Sequence, residues 1–162
     1  MKKCLLLFLL LPALAFAQTA AEMDILLETE TVSTGTAARF ALGAVGMMTP
    51  ELTGVAAENA AYQEALSRAW VKSGQEEAIN MQEMAFLIMN AFEIKGGIMY
   101  SLLHNPRYAY REMVYRKLIL GRSDSNMKVS GMRFLQILGS TLNYTGEREE
   151  IDEMLQISGG SN

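Results

Sequence analysis

Two stretches of this 162-residue chain match at a fixed distance, and that match restricts the fold more than any other feature of the sequence. Tyr62-Gln-Glu64-Ala-Leu66-Ser-Arg68 aligns with Tyr110-Arg-Glu112-Met-Val114-Tyr-Arg116 at an offset of 48, so Tyr, Glu, an aliphatic residue and Arg recur in register. A second set has three members, Thr34 to Phe40, Asn80 to Phe86 and Lys128 to Phe134, in which the apolar residues Ala38, Met84 and Met132 stand two places before each phenylalanine. Self-similarity at a period of this size marks supersecondary units that bury their apolar faces only by stacking on one another.

The units read as helices. Ala85, Ile88, Met89 and Phe92 form one wide apolar face. Asn80 with Glu83 three residues on is a capping-box pattern, and Gly96-Gly97 supplies a stop. Asn105-Pro106 opens another helix, with asparagine as cap and proline at the first helical position, and Gly121 stops it. The spacing predicts helices over 33–47, 57–72, 80–94, 105–120 and 129–143, a short turn over 98–104, and flanking helices over 20–30 and 149–157. No stretch has the β-branched alternation of a strand. The expected class is all-α, a helical pseudo-repeat of about two and a half helix pairs with short flanking helices.

Residues 1–17 read as a secretory signal peptide. Lys2 and Lys3 precede the apolar run Leu5 to Leu11, and Ala15-Phe16-Ala17 has the small-x-small form of a cleavage site. The run is too short to span a bilayer, which takes about 20 apolar residues. Cleavage removes the one cysteine, Cys4, and moves the net charge from −4 to −6. The expected organisation is a leader (1–17), a flanking helix (18–31), a helical domain (32–145), and an acidic C-terminal helix with a flexible tail (146–162). The expected product is exported to the periplasm or cell envelope, with no transmembrane span after cleavage.

The composition narrows the chemistry. One histidine and one cysteine exclude multi-His zinc sites, cysteine clusters and a disulfide framework. His104 reads as structural, at the end of a helical turn with only Ser101 nearby. Nothing marks an enzyme, a cofactor or a metal site, and the acidic balance argues against nucleic acid. Charge is nonetheless segregated. Between Arg107 and Arg133 seven basic residues (Arg107, Arg111, Arg116, Lys117, Arg122, Lys128 and Arg133) outnumber the acids Glu112 and Asp124 by five. Such a patch attracts anionic partners or is simply a solvated face. Tyr108, Tyr110 and Tyr115 among the arginines suit stacking on sugar rings or a protein interface. The pairs Glu64/Arg68 and Glu112/Arg116 read first as ion pairs within a helix. The twelve methionines fall mostly on core positions, or else form an adaptable docking groove.

The capped helix Asn80-Met-Gln-Glu83-Met-Ala85 resembles the Thr-Arg-Ala-Glu motif of the S-layer homology family. The helix ending Leu118-Ile119-Leu120-Gly121-Arg122 is similar to that family's Gly-Ile-x-x-Gly segment. Gly97 to Glu112 resembles a variant found in spirochaetal envelope proteins. The resemblance covers about residues 32 to 144. It implies three units in a helical pseudo-trimer, whose grooves bind anionic, pyruvate-bearing cell-wall polysaccharide. In that alignment Gly35, Met81 and Val129 occupy the place of the family's motif arginine, and the glutamate is kept as Glu83. The expected function is a non-enzymatic binding module that presents Arg107, Tyr108, Tyr110, Arg111, Arg116, Arg122 and Arg133 to a cell-wall polysaccharide or another acidic envelope protein. The alternative is an adaptor in an envelope assembly, docking through Met-rich helices.

Overall fold

The computed structural model describes residues 21–49, 52–121 and 124–159. They contain seven helices and no β-strand: α1 (21–28), α2 (Thr34–Ala44), α3 (Gly54–Ser67), α4 (Met81–Ala91), α5 (Ile98–Leu103), α6 (Pro106–Tyr115) and α7 (Gly131–Gly159). The chain is all-α in its described residues, and no helix there is long and apolar enough to cross a membrane. The leader read at 1–17 lies outside the described residues.

Three buried β-branched residues organise the chain. The Val32 amide donates to the Val129 carbonyl (2.8 Å), the Ile79 amide to Val32 (2.9 Å) and the Val129 amide to Ile79 (3.3 Å), closing a ring of three hydrogen bonds. Each ring residue stands immediately before the cap of a helix. Ser33 Oγ accepts from the Thr36 amide (3.1 Å), Asn80 Oδ1 from Glu83 (3.0 Å) and Ser130 Oγ from Arg133 (3.4 Å). The first amide of each helix is also satisfied by a returning segment: Thr34 donates to Glu77, Met81 to Met127, and Gly131 to Thr29. The segments come from behind α3, α6 and α1 respectively, so the N-terminal helix closes the third side. Gly131 is required there, because a Cβ at this position would run into the Leu26 carbonyl.

The core follows from the ring. Four places past the helix caps lie Ala37, Met84 and Phe134, all fully buried. Alanines at 37, 38 and 41 keep α2 thin where it meets α4 and α7, and Phe134 fills the space they leave, edge-on to Phe40 at 6.5 Å. The helix pairs α2/α3 and α4/α6 pack through Ala61 and Ala65 in one case and Ala109 and Met113 in the other. Their ends share a geometry as well: Trp70 donates to Ala65 and Leu118 to Met113, across left-handed Ala69 (φ 57°) and Lys117 (φ 60°).

Several expectations are corrected. The ring residues lie 47 and 50 apart, which aligns Phe134 with Met84 and Ala37 instead of with Phe86 and Phe40, and Met132 is exposed. In this register Thr34 and Gly131, not Gly35 and Val129, stand level with Met81. Helix α4 ends at Ala91 with Glu93 left-handed (φ 51°), so Gly96-Gly97 does not stop it; Gly97 instead caps α5. Helix α6 ends at Tyr115, well before Gly121. Helix α7 runs unbroken through Gly139 and Gly146, so the expected break near 145 and the separate tail helix give way to one element.

Candidate functional site

Helix α6 begins as its sequence predicts, with Asn105 Oδ1 accepting from the Tyr108 amide (3.2 Å) and Pro106 in the first turn. It carries most of the arginines singled out above, but they do different work. Arg116 is tied inward: its guanidinium donates to Glu112 Oε1 (2.8 Å), to the Lys95 carbonyl (2.6 Å) and to the Tyr144 hydroxyl, and lies over the Tyr144 ring. It joins α6, the segment before α5 and α7. Arg133 is also turned onto backbone, with Nη2 donating to the Leu120 carbonyl (2.9 Å) and a buried Nε that has no partner among the described residues. Arg122 lies outside the described residues. The seven residues predicted to bind therefore reduce, on the described chain, to exposed Arg107 and Arg111, with Tyr108 and Tyr110 half-buried against the core beside them. Arg111 lies over the Tyr108 ring (5.9 Å), and Arg107 and Arg111 together face a shallow cavity beside Ser125 and Asn126.

The remaining paired residues are structural. Arg68 Nε donates to Glu64 Oε1 (2.6 Å) in an exposed pair and lies over Trp70 at 5.0 Å. Tyr62 is buried, its hydroxyl donating to the Ser73 carbonyl (3.2 Å). Phe86 packs edge-on to Tyr100 and to His104. His104 closes α5 in the left-handed region (φ 35°), with its ring against Asn90 Oδ1 (3.1 Å), in keeping with a structural role. Among the described methionines, Met81, Met84, Met89 and Met113 lie inside the core and Met48 packs against it, while Met23, Met47, Met99, Met127 and Met132 are exposed.

A second feature adjoins Arg107. A cavity of about 520 Å³ opens between the segment behind α3 and the N-terminal turns of α4 and α6, lined by Trp70, Lys72, Ser73, Glu83, Phe86 and Arg107 among others. Glu83 builds its floor. The residue is 6% exposed; Oε1 accepts from the amides of Lys72 (2.6 Å) and Ser73 (2.8 Å), and Oε2 from Ser73 Oγ (2.6 Å). The capping-box reading is thus half right: Asn80 caps the Glu83 amide, but the Glu83 carboxylate reaches across to a neighbouring segment instead of back to Asn80. These three donors converge on Glu83, which fixes the backbone at Lys72 and Ser73, next to Trp70. Lys72 and Arg107 are exposed, and their charged groups make no ion pair among the described residues. Two free cations, an aromatic face and polar Asn80, Gln82 and Asn105 on one concave surface suit an anionic, ring-shaped ligand.

The sequence reading passed over Trp70 and Lys72. The chain's one tryptophan, set between two cations at 68 and 72, was the available signal. The described residues contain no cluster of three His, Cys, Asp or Glu side chains able to hold a metal ion. No protein-family model, curated protein or solved structure matches the chain.

Proposed function

We propose that this chain is an exported, non-enzymatic envelope protein, an S-layer homology-like module that binds an anionic cell-wall glycan. The observation that carries the reading is the groove in which unpaired Lys72 and Arg107 flank Trp70, above a segment fixed by Glu83. The leader-like N-terminus supplies the route outward. The closed ring of Val32, Ile79 and Val129, with a capped helix after each, supports a threefold scaffold of the kind the resemblance implies. In that scaffold Arg107 and Arg111 extend the groove along α6, so a polymer would meet cations beyond the single cavity.

The test is co-sedimentation of the purified protein with cell-wall sacculi that retain their secondary polymers. Charge-assisted hydrogen bonds contribute about 1.5–3 kcal/mol each, so the Lys72→Ala/Arg107→Ala variant should bind at least about tenfold more weakly. Trp70→Ala should weaken binding by a similar factor through lost stacking. Retention of both variants equal to that of the wild type would refute the groove assignment.

A further inference from the structure

Among the described residues, the most exposed apolar surface lies at α5. Ile98 is 86% exposed and Leu102 75%, one turn apart on the same face, with Met99 and Leu103 exposed beside them. This is not a loose loop. Tyr100, on the opposite face, is buried edge-on to Phe86 and receives a hydrogen bond from Asn90 Nδ2 (3.4 Å). Gly96 lets the chain turn tightly enough to seat it, since a Cβ there would strike the tyrosine ring. One aromatic anchor thus fixes a short helix whose four aliphatic side chains point outward. Contiguous apolar surface held out in this way marks a contact site.

What surrounds the patch identifies the occupant. The cleft between α5 and α6 is walled by Ile98, Met99, Tyr108, Arg111 and Tyr115, and Tyr115 is 84% exposed. Exposed Lys95 lies three residues before Ile98, and exposed Lys117 follows Arg116, which is bonded to the Lys95 carbonyl. The one acid lining the cleft, Glu112, is held by Arg116. Exposed aliphatic side chains beside tyrosines, with cations that make no ion pair among the described residues, are the pattern of a surface that sits in the headgroup layer of an anionic bilayer. We propose that α5 docks this protein on an anionic lipid surface, inserting Ile98 and Leu102 while Lys95, Arg111 and Lys117 meet the headgroups.

The test uses the protein in the form in which the expressing cell delivers it, pelleted with phosphatidylcholine vesicles with and without phosphatidylglycerol. Wild type should pellet with the anionic vesicles and far less with neutral ones. Ile98→Ser/Leu102→Ser should lose at least about tenfold in partitioning. Lys95→Ala/Lys117→Ala, which leaves the groove cations in place, should lose about fivefold per charge and much of the salt dependence. Because Ile98 and Leu102 are so exposed, the first variant should keep the wild-type melting temperature. Leu102→Trp gives a second readout, a blue shift of emission with anionic vesicles only. Wild type left in the supernatant, equal pelleting of the serine variant, or no emission shift would overturn the proposal. So would a dimer that forms through Ile98 and Leu102 while vesicles are ignored, because the occupant would then be a second copy of the chain. Lys72→Ala/Arg107→Ala should pellet like wild type, which keeps this result separate from the glycan reading.

Discussion

Replacing Glu83 separates the scaffold of the groove from its binding chemistry. In the wild type one buried carboxylate accepts two backbone amides and one hydroxyl at 2.6–2.8 Å. Glu83→Ala removes the acceptor and leaves the Lys72 and Ser73 amides without it. An orphaned buried donor costs about 1–3 kcal/mol, so two cost roughly 2–6 kcal/mol where water does not reach them. Because the groove admits some water, the lower half of that range is the expectation, about 2–4 kcal/mol. At about 2–4 °C per kcal/mol for a chain of this size, the melting temperature should fall by roughly 5–15 °C. Glu83→Gln keeps one oxygen for the amides and exchanges charged for neutral hydrogen bonds, a loss of about 1–2 kcal/mol. Thermal melts by circular dichroism measure both, and sedimentation with sacculi measures the consequence. Alanine should abolish binding by releasing Trp70 and Lys72, whereas glutamine, which removes a negative charge from the cavity floor, should bind an anionic glycan at least as well as wild type. An alanine variant that melts within about 1 °C of wild type would show that the three hydrogen bonds do not hold this segment.

Two further perturbations follow from the same accounting of partners. Arg116→Ala, which strips three hydrogen-bonded contacts from a largely buried guanidinium, should cost about 2–4 kcal/mol, whereas Arg68→Ala, at the matching position but in a pair more than 40% exposed on each side, should cost no more than about 1 kcal/mol; urea titrations compare the two. Burial pushes the Tyr100 hydroxyl up from the ordinary value of 10 to about 12, so the unfolded chain loses this proton first; the stability it contributes is whole below pH 10 and drains away as pH rises through 12. Tyr100→Phe should flatten that alkaline slope while leaving stability at neutral pH almost unchanged.

The start of each helix was easier to read from the sequence than its end. Asn80 and Asn105-Pro106 act where their side-chain chemistry places them, because a cap is a local event between residues three apart. The ends escaped because Glu93, Ala69 and Lys117 take the left-handed positions where glycine is the usual occupant. Glycine inside a helix costs only about 1 kcal/mol, which explains how α7 continues through Gly139 and Gly146. The phenylalanine register misled for a different reason: the threefold ring is formed by backbone groups of Val32, Ile79 and Val129, and hydrogen bonds between segments some fifty residues apart leave no periodic trace. Charge counting likewise located α6 but did not reveal that Arg116 and Arg133 turn inward, each donating to a backbone carbonyl of another segment.

The ring also shows why the groove is confined to one side of the molecule. Counting four residues on from Val32, Ile79 and Val129 gives Thr36, Glu83 and Arg133, three side chains in corresponding places with different chemistry. Thr36 turns to Glu58. Arg133 donates to the carbonyl of Leu120, which corresponds to Lys72 at the offset of 48. Glu83 alone of the three draws amides inward. An acceptor and a donor at this place demand opposite faces of the approaching peptide. At Glu83 the peptide presents N–H groups to the helix, next to Trp70 and an exposed lysine. At Arg133 it presents a carbonyl, and an exposed leucine stands where the lysine would be. The three corners of the ring therefore carry different surfaces, with the unpaired cations and the tryptophan gathered at the corner where α3 hands the chain to α4.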